Sequence, residues 1–238
     1  MKIGILLVCT GRYIQFFEKL YRSLQKFYLL DHQKKIYLFT DSDEEFPSDV
    51  CVTKIERKGF PGDTLYRYHY FLKIKEQLQE ETDVLFYMDI DSLVVFPIDE
   101  AVIPSKEKPL VGVLHPGFYN INNGTPETNS RSTAFIDPNE KRYGYVCGGH
   151  QGGLTKQYLE ACEAIKKNID IDDSRNVMAI WNDESHWNRH YVSNQAMFMI
   201  LAPSYMFPEG WYQRSNLREL TPKILALNKD HHKIRKPL

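Results

Sequence analysis

Two carboxylates one residue apart, Asp89-Ile90-Asp91, follow directly on the apolar run Val84-Leu85-Phe86-Tyr87-Met88. A continuous apolar run bounded by Asp83 and Asp89 is the pattern of a central strand buried on both faces. In open α/β sheets ligands gather at the carboxyl ends of strands, and acids at a period of two along a strand face the same side. Placed there, the pair is suited to hold a divalent metal, and a hard cation with oxygen ligands would in turn grip a diphosphate. The competing reading is a solvated strand end with two turn-forming acids.

A second cluster, Trp181-Asn182-Asp183-Glu184-Ser185-His186-Trp187, combines aromatic faces with carboxylates and amides, the groups that recognise apolar sugar faces and sugar hydroxyls. His186 and His190 lie four apart, on one face of a helix. Zinc is not indicated, because Trp187 stands where a zincin needs Glu and no third ligand is apparent. The stretch Gly148-Gly149-His150-Gln151-Gly152-Gly153 lacks the context of a phosphate loop, so its glycines read as allowing close backbone approach to a bulky ligand. The end of the chain is basic, with Lys229, His231, His232, Lys233, Arg235 and Lys236. Such a tail is either a solvated terminus or a source of positive charge for a diphosphate, with Lys229 and Arg235 folding over it.

The elements that position these groups follow from the hydrophobic pattern. Ile3 to Val8 reads as a buried strand, and Tyr13, Phe16, Phe17, Leu20, Leu24, Phe27 and Tyr28 recur at helical spacing. Lys35 to Phe39 and Val50 to Ile55 are further strands. A helix is expected from Asp63 or Thr64, either of which could cap it, to about Glu80. Strands alternating with helices in the first 90 or so residues predict a parallel sheet. After Pro97 the rhythm becomes irregular. Asn120 to Ser130 reads as a long exposed loop, in which Asn123-Gly124-Thr125 matches a glycosylation sequon but reads first as an Asn-Gly turn. Another helix is expected over Thr155 to Lys167.

The composition sets the bounds. With 238 residues, 42% hydrophobic, and 30 basic against 31 acidic side chains, the chain can bury a sizeable core and is neither disordered nor collagenous. A net charge of -1 excludes an electrostatic footprint for DNA, RNA or an anionic membrane, so any anionic ligand must be held locally. No apolar run approaches the length of a bilayer span, and the apolar start is followed by no small-x-small cleavage site. A soluble, cytoplasmic protein without signal peptide or membrane anchor is therefore expected. The four cysteines, Cys9, Cys51, Cys147 and Cys162, form no C-x-x-C and read as free thiols.

Taken in order, seven segments resemble glycosyltransferase family 6, the retaining enzymes that include the ABO blood-group transferases and α-1,3-galactosyltransferase. They are Phe39-Thr40-Asp41, Asp63-Thr64-Leu65 with Arg67, Asp89-Ile90-Asp91, His115-Pro116-Gly117-Phe118-Tyr119, Gly148 to Gly153, Trp181 to His186, and Pro203-Ser204-Tyr205 with the Lys229 to Arg235 tail. The likeness covers nearly the whole chain and only the family's catalytic domain.

It implies an α/β, GT-A fold, a single Rossmann-like mixed sheet flanked by helices, forming one domain over residues 1–238. Residues 1–97 would be the nucleotide-binding half, 98–227 the acceptor and sugar half, and 228–238 a tail that orders over the donor. Asp89 and Asp91 would hold Mn²⁺, with Mg²⁺ as the alternative, against the diphosphate of a UDP-sugar. Val8, Thr10 and Tyr13 would line the uridine pocket, and Arg67 would bind the donor near the D-x-D. Lys229 and Arg235 would close over the diphosphate, and Asp183 would contact donor sugar. Cys147 and Gly149 match the donor selectors, where glycine leaves room for the acetamido group of UDP-GalNAc over UDP-Gal. His115, Trp181, Asn182 and Glu209 would meet the oligosaccharide acceptor, and Glu184 would lie beneath the anomeric carbon. Asn182 stands where the Trp-x-Asp-Glu-Ser motif commonly has His. Two readings compete with this one: a glycan-binding protein on a degenerate transferase scaffold, and a haloacid-type phosphatase. The latter places its D-x-D on the first strand and wants Thr or Val where Leu93 stands.

Overall fold

The structure, a computed structural model, describes residues 1–235, so Lys236 of the basic tail lies outside the described residues. The chain builds β1 (Lys2–Cys9), α1 (Phe17–Phe27), β2 (Gln33–Thr40), β3 (Val50–Lys54), α2 (Gly62–Leu65), α3 (Arg67–Leu72), α4 (Lys75–Glu81) and β4 (Val84–Met88). There follow β5 (Ser92–Val94), β6 (Leu110–Leu114), β7 (Val146–Leu154), α5 (Thr155–Ser174), α6 (Asn182–Ser193), β8 (Phe198–Leu201), β9 (Phe207–Pro208), β10 (Ile224–Ala226) and α7 (His231–Ile234). Seven strands form one sheet in the order β3-β2-β1-β4-β7-β6-β8, and β5, β10 and β9 form a small second sheet. The architecture is a GT-A fold. No described helix is long and apolar enough to cross a membrane.

Side chains of β1 alternate between two cores, as a strand buried on both faces must. Ile3, Ile5, Leu7 and Cys9 pack with Leu20 and Leu24 of α1, while Leu6 faces Tyr68 and Phe71 of α3 and Tyr158 and Leu159 of α5. Every residue of β4 is buried, as its apolar run predicts.

β7 is the exception on which the site turns. It runs antiparallel to both neighbours, β4 and β6, so its first residues lie beside the last residues of β4. Met88 pairs with His150, and the Asp89 N–H donates to the Gly149 carbonyl at 2.8 Å. The glycine-rich stretch is thus a central strand, although glycine in a strand interior ordinarily weakens it. Two of its glycines serve packing rather than a ligand: a Cβ on Gly152 would lie 2.6 Å from the Leu85 carbonyl oxygen, and one on Gly153 2.6 Å from that of Pro109. The sheet also crosses the expected boundary at residue 97 without interruption, since β6, β7 and β8 continue the sheet of β1 to β4.

Other expectations change in detail. The single helix expected from Asp63 or Thr64 is three short ones, interrupted at Tyr66 and at Lys73–Ile74. Neither expected cap is used: the Asp63 carboxylate accepts from the Thr10 hydroxyl at 2.8 Å and the Lys58 N–H at 2.7 Å, and the Thr64 hydroxyl donates back to the Pro61 carbonyl. α5 extends past the expected Lys167 to Ser174, its apolar side continuing through Ile169. Asp89 and Asp91 stand in a turn, closed by the Ser92 N–H on the Asp89 carbonyl, and not on the extended strand.

Gly152→Ala is expected to overpack the β4–β7 junction and cost about 1–3 kcal/mol, seen as a lower urea midpoint with an unchanged m-value.

Candidate active site

A cavity of about 690 Å³ opens where β1 and β4 end and β7 begins. Val8, Thr10 and Tyr13 form one end, Asp89 to Asp91 the floor, Gly148 and Gly149 the middle, Trp181 to Glu184 the opposite end, and Lys229, His231 and Arg235 a wall from the tail.

Arg67 ties these elements together. Only 3% exposed, it donates to the Thr64 carbonyl at 3.0 Å and the Gly148 carbonyl at 2.9 Å, and faces Asp183 at 3.0 Å and Asp89 at 3.6 Å. Its guanidinium also lies 4.2 Å from the centroid of the Tyr87 ring. Burial opposes its charge, but Asp183, Tyr87 and Asp89 more than offset that and raise its pKa. Its hydrogen-bonding capacity is largely spent within the protein, so Arg67 arranges the acids and the Gly148 carbonyl around the cavity.

The acids answer to the same enclosure. Burial pushes Asp183 up to about 6 against the opposing pull of Arg67, with Asp89 adding to the rise. Removal from water pushes Glu184 up to about 7, partly offset by the Gly148 N–H, which donates to its carboxylate at 2.8 Å. Both stand in the first turn of α6, entered through Asn182 at φ 50°, a left-handed conformation that Asn tolerates. A Cβ on Gly148 would lie 3.1 Å from the Asp183 carboxylate, so glycine lets α6 approach β7.

The tail borders the cavity through Lys229, His231 and Arg235. β10 pairs antiparallel with β5, which follows the D-x-D, and the Leu227 N–H donates to the Asp91 carbonyl at 2.9 Å. Lys229 consequently forms an ion pair with Asp91, 138 residues away in sequence, and lies 5.6 Å from the Tyr13 ring centroid. Arg235 stacks 3.4 Å from the centroid of Phe60. Residues 228–235 thus lie along the cavity, where the tail is expected to close over a donor; residues 236–238 lie outside the described residues. As a donor set, Asp89 and Asp91 fit a hard divalent cation that completes its shell with diphosphate oxygens and water. Among the described residues no cluster of three or more His, Cys, Asp or Glu side chains could hold a metal by itself.

Of the other expected residues, His115, Trp181, Asn182 and Gly149 line the cavity. The Gly117 N–H donates to Nδ1 of His115 at 3.1 Å, which leaves the ring proton on Nε2, and burial lowers its pKa to about 4. The Trp181 indole N–H donates to the Thr125 hydroxyl at 2.8 Å and fixes the ring. Two expected residues are not brought to the cavity lining. Cys147 packs into the core with Met88 and Met206, and Glu209 accepts the Asn228 N–H at 2.8 Å. Sequence reasoning missed Arg57, Phe60, Asp63, Thr64, Tyr87 and His231 as lining residues. Of these, Asp63 and Thr64 read as helix caps within a family segment, Tyr87 as part of the buried β4 run and His231 as part of the basic tail. His186 and His190 do not converge: His186 faces Asp172 at 3.8 Å, and His190 stacks on Trp187.

The family profile described as glycosyltransferase family 6 matches residues 1–236. The chain is 30% identical to the O-antigen biosynthesis glycosyltransferase WbnI of Escherichia coli, over 92% of this chain and 93% of that protein. It is 26% identical to globoside α-1,3-N-acetylgalactosaminyltransferase 1 of Homo sapiens over 97% of this chain, and 25% identical to histo-blood group ABO system transferase 1 of Rattus norvegicus over 98%. The match spans 67% and 68% of those two proteins, and 62% of the globoside enzyme of Gallus gallus.

Two measurements check the electrostatics. Arg67→Met leaves buried acids unpaired and is expected to cost about 3–5 kcal/mol in chemical denaturation. Because Glu184 is raised from 4.5 to about 7, its contribution to stability is full below pH 4.5 and lost as pH rises through 7. Between pH 5 and pH 8 the wild type should therefore lose Tm relative to Glu184→Gln; parallel Tm profiles would refute the shift.

Proposed function

This chain belongs to glycosyltransferase family 6, and from that premise we propose that it is a retaining α-1,3-glycosyltransferase moving GalNAc, or Gal, from a UDP-sugar to a glycan acceptor. The reading includes dependence on Mn²⁺, with Mg²⁺ as the alternative. The observation that carries it is one cavity that brings Asp89 and Asp91, beside Lys229, together with Asp183 and Glu184 across Arg67. The globoside relatives of Homo sapiens and Gallus gallus are α-1,3-N-acetylgalactosaminyltransferases by name, which supports the linkage.

Cleavage of the bond between sugar and diphosphate develops positive charge at the anomeric carbon and negative charge on UDP. A divalent cation held by Asp89 and Asp91 would neutralise the diphosphate. Lys229 and Arg235 donate to the leaving oxygens, Val8, Thr10 and Tyr13 enclose uridine, and Asp183 accepts from donor hydroxyls. Glu184 faces the anomeric carbon as a carboxylate, either bonding to it or stabilising an oxocarbenium-like state. Both routes require it deprotonated, so the rate rises with pH through about 7. Neutral His115 donates from Nε2 to an acceptor hydroxyl, and the Trp181 ring packs on a sugar face.

The test is UDP release from UDP-GalNAc, UDP-Gal, UDP-GlcNAc and UDP-Glc with Mn²⁺ or with EDTA. Release from UDP-GalNAc foremost, abolished by EDTA, is expected; release from none of the donors refutes the activity, and indifference to EDTA refutes the metal. Glu184→Gln should lower kcat by about 10²–10³, the usual cost of losing a group that stabilises transition-state charge. Glycan binding without UDP binding in calorimetry would instead favour a binding protein on this scaffold. A Cβ at Gly149 would meet Met206 Cε and the Asp89 carboxylate, so Gly149→Ala should lower kcat/KM for UDP-GalNAc by about 10–200-fold and for UDP-Gal by less.

A further inference from the structure

The stretch Asn120 to Ser130, mostly exposed as the sequence predicts, contains one buried residue, and it is charged: Glu127 is 4% exposed. Burying a carboxylate is unfavourable unless hydrogen bonds compensate. Both of its oxygens are engaged, Oε1 accepting the Asn129 N–H and Oε2 the Ile180 N–H, each at 2.6 Å. The first bond closes a turn within the loop. The second crosses 53 residues of sequence to the segment that leads into α6. The loop is anchored at the same point, because the Glu127 carbonyl accepts from the Ile136 N–H at 3.0 Å, and Ile136 is buried in the core with Trp187 and Tyr191.

Ile180 directly precedes Trp181, whose side chain lines the cavity. Three bonds fix the place of that ring. Glu127 holds the peptide before it, the Ser185 hydroxyl accepts the Trp181 N–H at 3.0 Å, and the Thr125 hydroxyl accepts from the indole. The acids that follow are supported from elsewhere: Asp183 faces Arg67 at 3.0 Å, and Glu184 accepts the Gly148 N–H at 2.8 Å. The start of α6 thus has two sets of supports, β7 and Arg67 for the acids, and the 125–127 segment for the indole.

We propose that Glu127 is a positioning residue for acceptor recognition, holding the Trp181 ring at the angle at which it packs on the acceptor sugar. The assignment rests on the transferase reading. Glu127 does not border the cavity and acts through the Ile180 peptide. A carboxylate suits the position because it accepts from two N–H groups at once, whereas the amide of glutamine accepts through one atom and donates through the other. Losing one of the two bonds frees the ring to turn, while Asp183, Glu184 and the donor end keep their own supports.

The experiment uses Glu127→Gln, which preserves shape and volume. Labelling with fluorotryptophan gives three fluorine NMR signals, for Trp181, Trp187 and Trp211, the first identified by its loss in Trp181→Phe. In Glu127→Gln the Trp181 signal should shift or broaden while the other two stay in place. With lactose and the UDP-sugar turned over fastest, the lactose KM should rise about tenfold, as for one lost hydrogen bond to a charged group. The UDP-sugar KM and UDP release without acceptor should keep their wild-type values. In the Trp181→Phe background Glu127→Gln should add nothing further to the lactose KM, since the two act as a unit. An unmoved Trp181 signal, movement of all three signals, or a variant that does not fold gives Glu127 a general structural role and overturns the proposal. Equal changes in both KM values, or an undiminished effect in the Trp181→Phe background, overturn it as well. Where lactose is not used, the fluorine signals decide alone. Absence of UDP release and transfer from every UDP-sugar in the wild type overturns the transferase reading, and this assignment with it.

Discussion

The site depends on one buried cation. Arg67 is enclosed by the Thr64 and Gly148 carbonyls, Asp183 and Asp89, which come from α2, β7, α6 and the turn after β4. Each of those groups would be unfavourable alone at that depth: carboxylates resist desolvation, and carbonyls need donors. A guanidinium answers all of them because it presents five donors in a plane, which a lysine cannot do. Such an arrangement is weak evidence for stability, since desolvation offsets much of the attraction. Its consequence is geometric. Asp89 and Asp183 are held close together in the cavity by the same rigid group.

Topology makes that convergence possible. Because β7 runs against β4, the residues that begin it lie at the carboxyl end of the sheet, where ligands bind in open α/β folds. α5 then carries the chain away, and α6 returns with Asp183 and Glu184 against Gly148. The small sheet repeats the device: β5 leaves the D-x-D and β10 comes back antiparallel beside it, so Lys229, three residues beyond β10, meets Asp91. Two antiparallel returns therefore assemble the cavity from segments far apart in the chain.

This explains which features were legible beforehand. The β4 run and its two acids were readable because burial on both faces and the position at a strand end are local properties. The family resemblance located the α6 acids and the tail through order and spacing. β7 was hidden because its strand character comes from neighbours on both sides, against the local preference of four glycines. Cys147 was misplaced for the same reason: it faces the same side of β7 as Gly149, but its side chain is enclosed by the core around Met88 and Met206, which only the packing of neighbouring elements shows. Asp63 carried a helix-cap signature but spends its carboxylate on Thr10 and Lys58, contacts that depend on how β1 and the 57–62 segment approach each other.

Charge balance links the proposed chemistry to the fold. With no donor bound, Asp91 is matched by Lys229, and Asp89 with Asp183 by Arg67, while Glu184 is relieved by its raised pKa of about 7. Under the proposed function a UDP-sugar would add the negative charge of its diphosphate beside these pairs, where Lys229 already faces Asp91 and Arg67 is enclosed. A divalent cation held by Asp89 and Asp91 would offset that charge and leave Lys229 to the diphosphate. The near-neutral balance of 30 basic and 31 acidic residues thus has a local counterpart in the pairing of Asp91 with Lys229 and of Asp183 and Asp89 with Arg67.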